Sequence, residues 1–156
     1  MTDLQRARAA AAQRYAQLGR VLLEEVGLSP NQVQPSSGLN GRVTSLLGAV
    51  FIVAPWPTTT RKRLYILAHE CGHVHHAHGR RGTPRKPRHR EEYEAESYAH
   101  AALRRHGVAV PQDMTARARR YVARKIYQAL KRGAKPANID REALRFARAA
   151  WPPPTP

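Results

Sequence analysis

The stretch Leu67-Ala68-His69-Glu70-Cys71-Gly72-His73 decides how this 156-residue chain is read. It contains His-Glu-x-x-His inside a segment, from about Arg61 to His78, that reads as one helix. A Thr58-Thr59-Thr60 run supplies its cap and Gly79 its stop. Residues four apart on a helix differ by about 40° and lie one turn apart. His69 and His73 can therefore each turn one imidazole nitrogen onto a single zinc ion. Glu70 sits beside them, placed as general base for a water that zinc acidifies. The middle of the segment, Leu64-Tyr65-Ile66-Leu67-Ala68, is apolar on nearly every side, which predicts a buried helix.

A catalytic zinc site takes a third protein ligand and keeps one position open. The extended pattern His-Glu-x-x-His-x-x-Gly-x-x-His fails, because His76 stands at its Gly position and Gly79 at its last His position. His76 lies on the metal face but a turn further along, and reads as a solvent-facing or supporting histidine. His75 and His78 are expected to point elsewhere. Cys71 falls on the wrong side of the helix and reads as a small buried residue. The remaining source is the next helix, read over Glu91 to Arg105, with Glu91, Glu92, Glu94 and Glu96 in its first turns. Glu92, Ala95, Glu96, Ala99, Ala102 and Leu103 share one stripe, and its far end is apolar, so it faces the core and the His helix. Glu92 is the expected third ligand. Glu96, one turn on, is placed to orient a ligand imidazole. Glu94, on a different stripe with Ser97, Tyr98, Ala101 and Arg105, is the fallback ligand. Tyr93, Tyr98, His100 and His106 are all conceivable transition-state stabilisers.

Upstream, residues 3–26 read as a helix with Leu4, Ala7, Ala11, Tyr15, Leu18 and Leu22 on one stripe and Gly27 as its stop. Ser29 to Asn40 reads as loop. Val43–Leu47 and Ala49–Ala54 read as two short strands, the second ended by Pro55-Trp56-Pro57. Arg80 to Arg90 reads as a basic loop. Thr115 to Arg132 reads as an amphipathic helix with Arg117, Arg120, Arg124 and Lys131 on its polar face, and Asp140 caps a last helix through Trp151. The expected fold class is α+β. A short antiparallel sheet packs beside the His-Glu-x-x-His helix and the Glu-bearing helix, with basic helices towards the C-terminus. The expected division is a zincin-like metallopeptidase domain over 1–110, a basic helical extension over 111–151 and a Pro-rich tail, frayed rather than helical, over 152–156.

His69-Glu70-Cys71-Gly72-His73, followed by Glu92-Tyr93-Glu94-Ala95-Glu96-Ser97-Tyr98-Ala99, resembles the zincin domain of ImmA/IrrE-type metallopeptidases. The usual motifs there are His-Glu-Leu-Gly-His and Glu-x-Glu-Ala-Asn/Asp-x-Phe-Ala. The order of helix, strand pair, His helix and Glu helix is similar too, over about residues 3–105. Cys71, Glu96 and Tyr98 depart from the pattern. The resemblance implies a compact α+β zincin holding zinc on His69 and His73, with Glu70 as general base and Glu92 at the first Glu of the second motif. It also implies a cytoplasmic protein substrate such as a repressor or other regulator.

Charge and cysteine count bound the rest. Lys and Arg number 27 against 11 Asp and Glu, a formal net charge of +16. Such an excess attracts polyanions and says nothing of the fold. The polar face of the helix over 115–132 reads first as a solvated charged surface, with sequence-independent contact with nucleic acid as the other reading. The alternative function is a basic nucleic-acid-binding or antirestriction-type protein whose zinc is structural, and Glu70 separates the two, since a structural site needs no base. One cysteine excludes an intrachain disulfide and a Cys-only zinc site. No apolar run approaches the ~20 residues of a membrane span. The N-terminus lacks the apolar core of a secretory signal, so the expected compartment is the cytoplasm.

Overall fold

The computed structural model of the protein describes residues 1–151; the reading of residues 152–156 as a frayed tail lies outside them. Five α-helices and a small three-stranded sheet make an α+β fold. Helix α1 (Asp3–Glu25) opens with a capping box between Thr2 and Gln5 and stops at Gly27, whose φ of 74° closes the turn. Strands β1 (Val33–Pro35), β2 (Arg42–Leu46) and β3 (Ala49–Ala54) follow. Helix α2 (Arg61–His75) is capped by Thr60, whose hydroxyl accepts from the Arg63 N–H at 3.2 Å. Helices α3 (Arg88–Arg105), α4 (Gln112–Lys131) and α5 (Arg141–Ala147) follow among the described residues.

The sheet is mixed, with order β1-β3-β2, and not the antiparallel pair expected. The β2–β3 hairpin is antiparallel as read. Strand β1 adds in parallel, Val33 opposite Ile52 and Pro35 opposite Ala54, from a segment rich in Pro, Ser and Asn that reads as loop. A three-residue strand ending in proline carries no periodicity of its own, so only its partner defines it. Strand β3 buries Val50, Ile52 and Ala54 against α2.

Two apolar clusters hold the layers together. The larger joins α1, the sheet, α2 and the C-terminal half of α3 through residues such as Leu22, Ile52, Leu67 and Leu103. The smaller lies between α4 and α5 and includes Val122, Ile126, Ile139 and Ala143, with Tyr93 of α3 packed against it. Buried His89 ties the two regions: its Nε2 accepts the Asp140 N–H at 3.1 Å, at the cap of α5. Among the described residues no helix is long and apolar enough to cross a membrane.

Gly72 sets the distance between α2 and α3. A Cβ placed there would lie 2.8 Å from both Cα and O of Ala95, so a side chain would force the two helices apart. This close approach brings the histidines of α2 against the glutamates of α3.

Candidate metal centre

His69 and His73 sit one turn apart on α2, and Glu92 faces them from the buried stripe of α3. The Nε2 atoms of the two histidines are 3.1 Å apart. Glu92 Oε2 lies 3.4 Å from His69 Nε2 and 3.7 Å from His73 Nε2. Ligand atoms on a tetrahedral ion with bonds of about 2.0–2.1 Å sit roughly 3.3 Å from one another. Two imidazole nitrogens and one carboxylate oxygen therefore converge at the spacing of one face of a tetrahedron, and the three residues could hold a metal ion. The expected ligand Glu92 reaches this group. The fallback, Glu94, does not.

The electrostatics state the same demand for positive charge. Burial opposes a charged His69, but Glu92 and Glu96 outweigh it and raise its pKa well above the ordinary histidine value. Burial likewise opposes ionised Glu92, and His69 and His73 outweigh it, holding that carboxyl well below the usual range. The Glu92 Oε1 atom faces Arg88 Nη2 at 2.7 Å, which leaves Oε2 for the site.

Supporting contacts fix which nitrogen of each imidazole points inward. On the His69 side, Nδ1 lies 2.7 Å from Glu96 Oε1, close in distance but off the N–H axis. The other Glu96 oxygen accepts from the Tyr65 hydroxyl, and burial first, then Glu96 itself, keeps that phenol protonated. On the His73 side, Nδ1 lies 2.8 Å from His78 Nδ1, and His78 Nε2 lies 2.8 Å from Glu94 Oε2. Against the cost of burial, Lys86, His78 and Arg90 hold Glu94 down to about 2, so it is an acceptor only. His78 must then donate from Nε2. Burial keeps His78 neutral, so its Nδ1 carries the lone pair and accepts from His73 Nδ1–H. His73 Nε2, on the far side of the ring, is aimed at Glu92 and is the nitrogen left for a metal.

His78 does not point elsewhere, as the helical reading through Gly79 requires. Helix α2 ends at His75, and Ala77 takes the left-handed conformation with φ 54°. The His78 N–H then bonds the His73 carbonyl at 3.0 Å and the Ala77 N–H bonds the Val74 carbonyl at 3.0 Å. This Schellman turn folds His78 back over His73. His76 stacks on His78, with ring centroids 5.3 Å apart. His76, His78 and Glu94 also cluster, but Lys86 Nζ lies 2.7 Å from Glu94 Oε2 and already supplies the cation there.

Glu70 is buried beside the triad. Burial pushes its carboxyl up to about 7, with His69 opposing and Glu92 adding to the rise. Its side chain lies directly under the backbone of Gly41, where a Cβ would come 2.6 Å from Oε1. Gly41 precedes β2, so Glu70 is seated by a residue that sequence patterning does not flag. Cys71 is buried, and burial raises its thiol pKa further.

The triad and Glu70 open into a cleft of about 850 Å³. One wall is β2 with the preceding Leu39-Asn40-Gly41, and the other is α4 with Met114, Ala118 and Tyr121. Arg117 spans the mouth, its Nη1 donating to the Leu39 carbonyl at 2.9 Å. Residues 111–131 thus complete the site as well as extending the chain. Tyr93, Tyr98, His100 and His106 do not line the cleft. Tyr93 packs on Phe146, Tyr98 on His75, His100 meets Thr115, and His106 pairs with Glu25. Tyr65 and Tyr121 are the tyrosines that do line it.

No protein-family model matches the chain, and neither a curated protein nor a solved structure does. The likeness to ImmA/IrrE-type metallopeptidases therefore stands on the residues of the two motifs.

Proposed function

We propose that the protein is a zinc-dependent metallopeptidase that hydrolyses a protein substrate, a cytoplasmic regulator such as a repressor in keeping with the motif resemblance. The observation that carries the reading is the convergence of His69 Nε2, His73 Nε2 and Glu92 Oε2 at 3.1–3.7 Å beside a buried Glu70 and at the floor of an open cleft. Two imidazoles and a carboxylate suit zinc, and two neutral imidazoles with ionised Glu92 leave the ion net positive. Zinc held there supplies a Lewis acid that acidifies water and polarises a carbonyl.

The chain's own residues supply the rest. His78 and Glu94 orient His73 with its Nε2 towards the metal site, and Glu96 lies 2.7 Å from His69 Nδ1 on the other side. Glu70 accepts the proton of the attacking water and delivers it to the leaving amine. Its burial favours this role, since a carboxyl raised towards 7 exchanges protons near neutral pH. Strand β2 is an edge of the sheet beside the cleft, so its outer backbone groups are open to an extended polypeptide. A structural zinc site needs neither the cleft nor a base aimed into it.

The test is cleavage of an unstructured protein or peptide library by zinc-loaded wild type and Glu70→Gln. The variant should keep metal and fold and lose about 10²–10⁴-fold in rate. Equal cleavage by both removes Glu70 as the base. No cleavage of any library by wild type removes the peptidase reading.

A further inference from the structure

The cleft is charged unevenly. Its floor carries Glu70, Glu92 and Glu96, while its walls carry Arg42 from β2 and Arg117, Arg120 and Arg124 from α4. The spacing 117, 120, 124 puts three guanidinium-bearing side chains on one stripe of α4, and Arg42 stands on the opposing wall. The polar face that the sequence marks as basic thus borders, over these three residues, the cleft that holds the metal triad. Lys131, the fourth residue of that face, lies beyond the cleft with its Nζ 6.0 Å from the Tyr127 ring centre.

Of the five arginines that line the cleft, Arg88 pairs with Glu91 and Glu92, and the other four form no ion pair with a carboxylate among the described residues. Lys62, Arg90, Arg105 and Arg145 elsewhere do. Arg117 reaches a carbonyl, that of Leu39, and not an acid. Like charges gathered along one cleft repel, and low-dielectric walls focus their field. An anion lying in the cleft relieves that repulsion.

We propose that the cleft selects polypeptide segments carrying Asp or Glu close to the bond to be cut. The proposal rests on the peptidase reading for the polypeptide and on the four arginines for the charge. A peptide places a neutral amide over the acidic floor and its carboxylate side chains against the basic walls. A nucleic acid strand carries a charge at every unit and sets some of them over the floor, where Glu70 and Glu96 remain beside the zinc ion that Glu92 would hold. The charge pattern of the cleft therefore fits an acidic peptide better than a phosphodiester chain.

The experiment is fluorescence anisotropy with zinc-loaded Glu70→Gln protein, which holds a peptide without cutting it. The probes are three labelled decapeptides with a common apolar centre, flanked by Glu, by Gln or by Lys, and a short single-stranded DNA. Exposed ion pairs are each worth a factor of about two, so three or four of them should favour the Glu peptide over the Gln peptide roughly ten-fold at low salt. The preference should shrink as salt rises. The added substitutions Arg120→Gln and Arg124→Gln should remove most of it, while Arg8→Gln and Arg20→Gln on α1 should not. A circular-dichroism melt checks each fold, and single substitutions replace any pair that fails to fold.

Equal affinity for the three peptides, or a Glu preference that survives Arg120→Gln with Arg124→Gln, overturns the proposal. So does DNA that binds more tightly than the Glu peptide through the same two arginines. The peptidase reading fails separately: wild type would then bind the Glu peptide with the stated preference and leave it uncut, which supports the charge selection while removing the reaction.

Discussion

Replacing Gly72 by Ala should loosen the metal centre without touching a ligand. The added Cβ would sit 2.8 Å from Cα and from O of Ala95. Comfortable carbon contacts begin near 3.5 Å, so α2 and α3 must part by roughly 0.7 Å at this point. The obstructing atoms are backbone, and no rotamer change relieves them. Glu92 lies about one turn before Ala95 and moves with it, so its 3.4 and 3.7 Å spacings to the histidines widen. A plausible metal site keeps its ligand distances within about 0.2 Å of the ordinary values. The overpacking itself costs about 1–3 kcal/mol, a fall of roughly 3–9 °C in Tm for a chain of this size. Zinc affinity, measured by competition with a chromogenic chelator, should drop at least about ten-fold, the scale on which disturbed supporting geometry acts. Ala95→Gly should not rescue it, because Cα and O remain. A Gly72→Ala protein with wild-type Tm and wild-type zinc affinity would refute the claim that this helix contact sets the site.

Three further outcomes follow from the supporting residues. His78→Phe removes the acceptor for His73 Nδ1–H and should weaken zinc binding about 10–100-fold by the same competition assay; unchanged affinity would sink the tautomer argument. Ala77→Gly relieves a left-handed backbone that costs about 1–2 kcal/mol, less what glycine adds in unfolded-state entropy, so a net stabilisation of about 0.5–1 kcal/mol is expected in urea melts. Burial lowers the pKa of His89, with Asp140 partly opposing, so the unfolded chain takes up this proton first as pH falls. Stability is therefore lost on acidification below about 6.5, by up to ~1.4 kcal/mol per pH unit from this one group, and His89→Gln should flatten that part of the pH–stability curve.

The sequence makes the centre of the site legible because the site is built on helices. Spacing of four puts His69 and His73 on one face, and the buried stripe of α3 singles out Glu92 and Glu96 over Glu94. What escapes the sequence depends on contacts distant along the chain, or on a helix end. His78 joins the site because the chain turns at Ala77, a residue that rarely adopts φ > 0, where Gly79 is the visible stop signal. Strand β1 exists only by pairing with β3. Helix α3 begins at Arg88, inside a basic run that reads as loop, although Pro87 at its cap is a start signal in hindsight. Amphipathicity marks the polar stripe of α4 but cannot say that Arg117, Arg120 and Arg124 border the cleft. Nor does any pattern reveal that Gly41 seats Glu70.

His69, His73 and Glu92 are proposed to hold one zinc ion together. X-ray absorption at the zinc edge of the purified, zinc-loaded protein tests this proposal most directly. One equivalent of zinc is expected, with two imidazole nitrogens and oxygen donors at about 2.0–2.2 Å, no sulfur, and loss of that signal in His73→Ala. A sulfur scatterer from Cys71, or a spectrum and stoichiometry unchanged in His73→Ala, would contradict it.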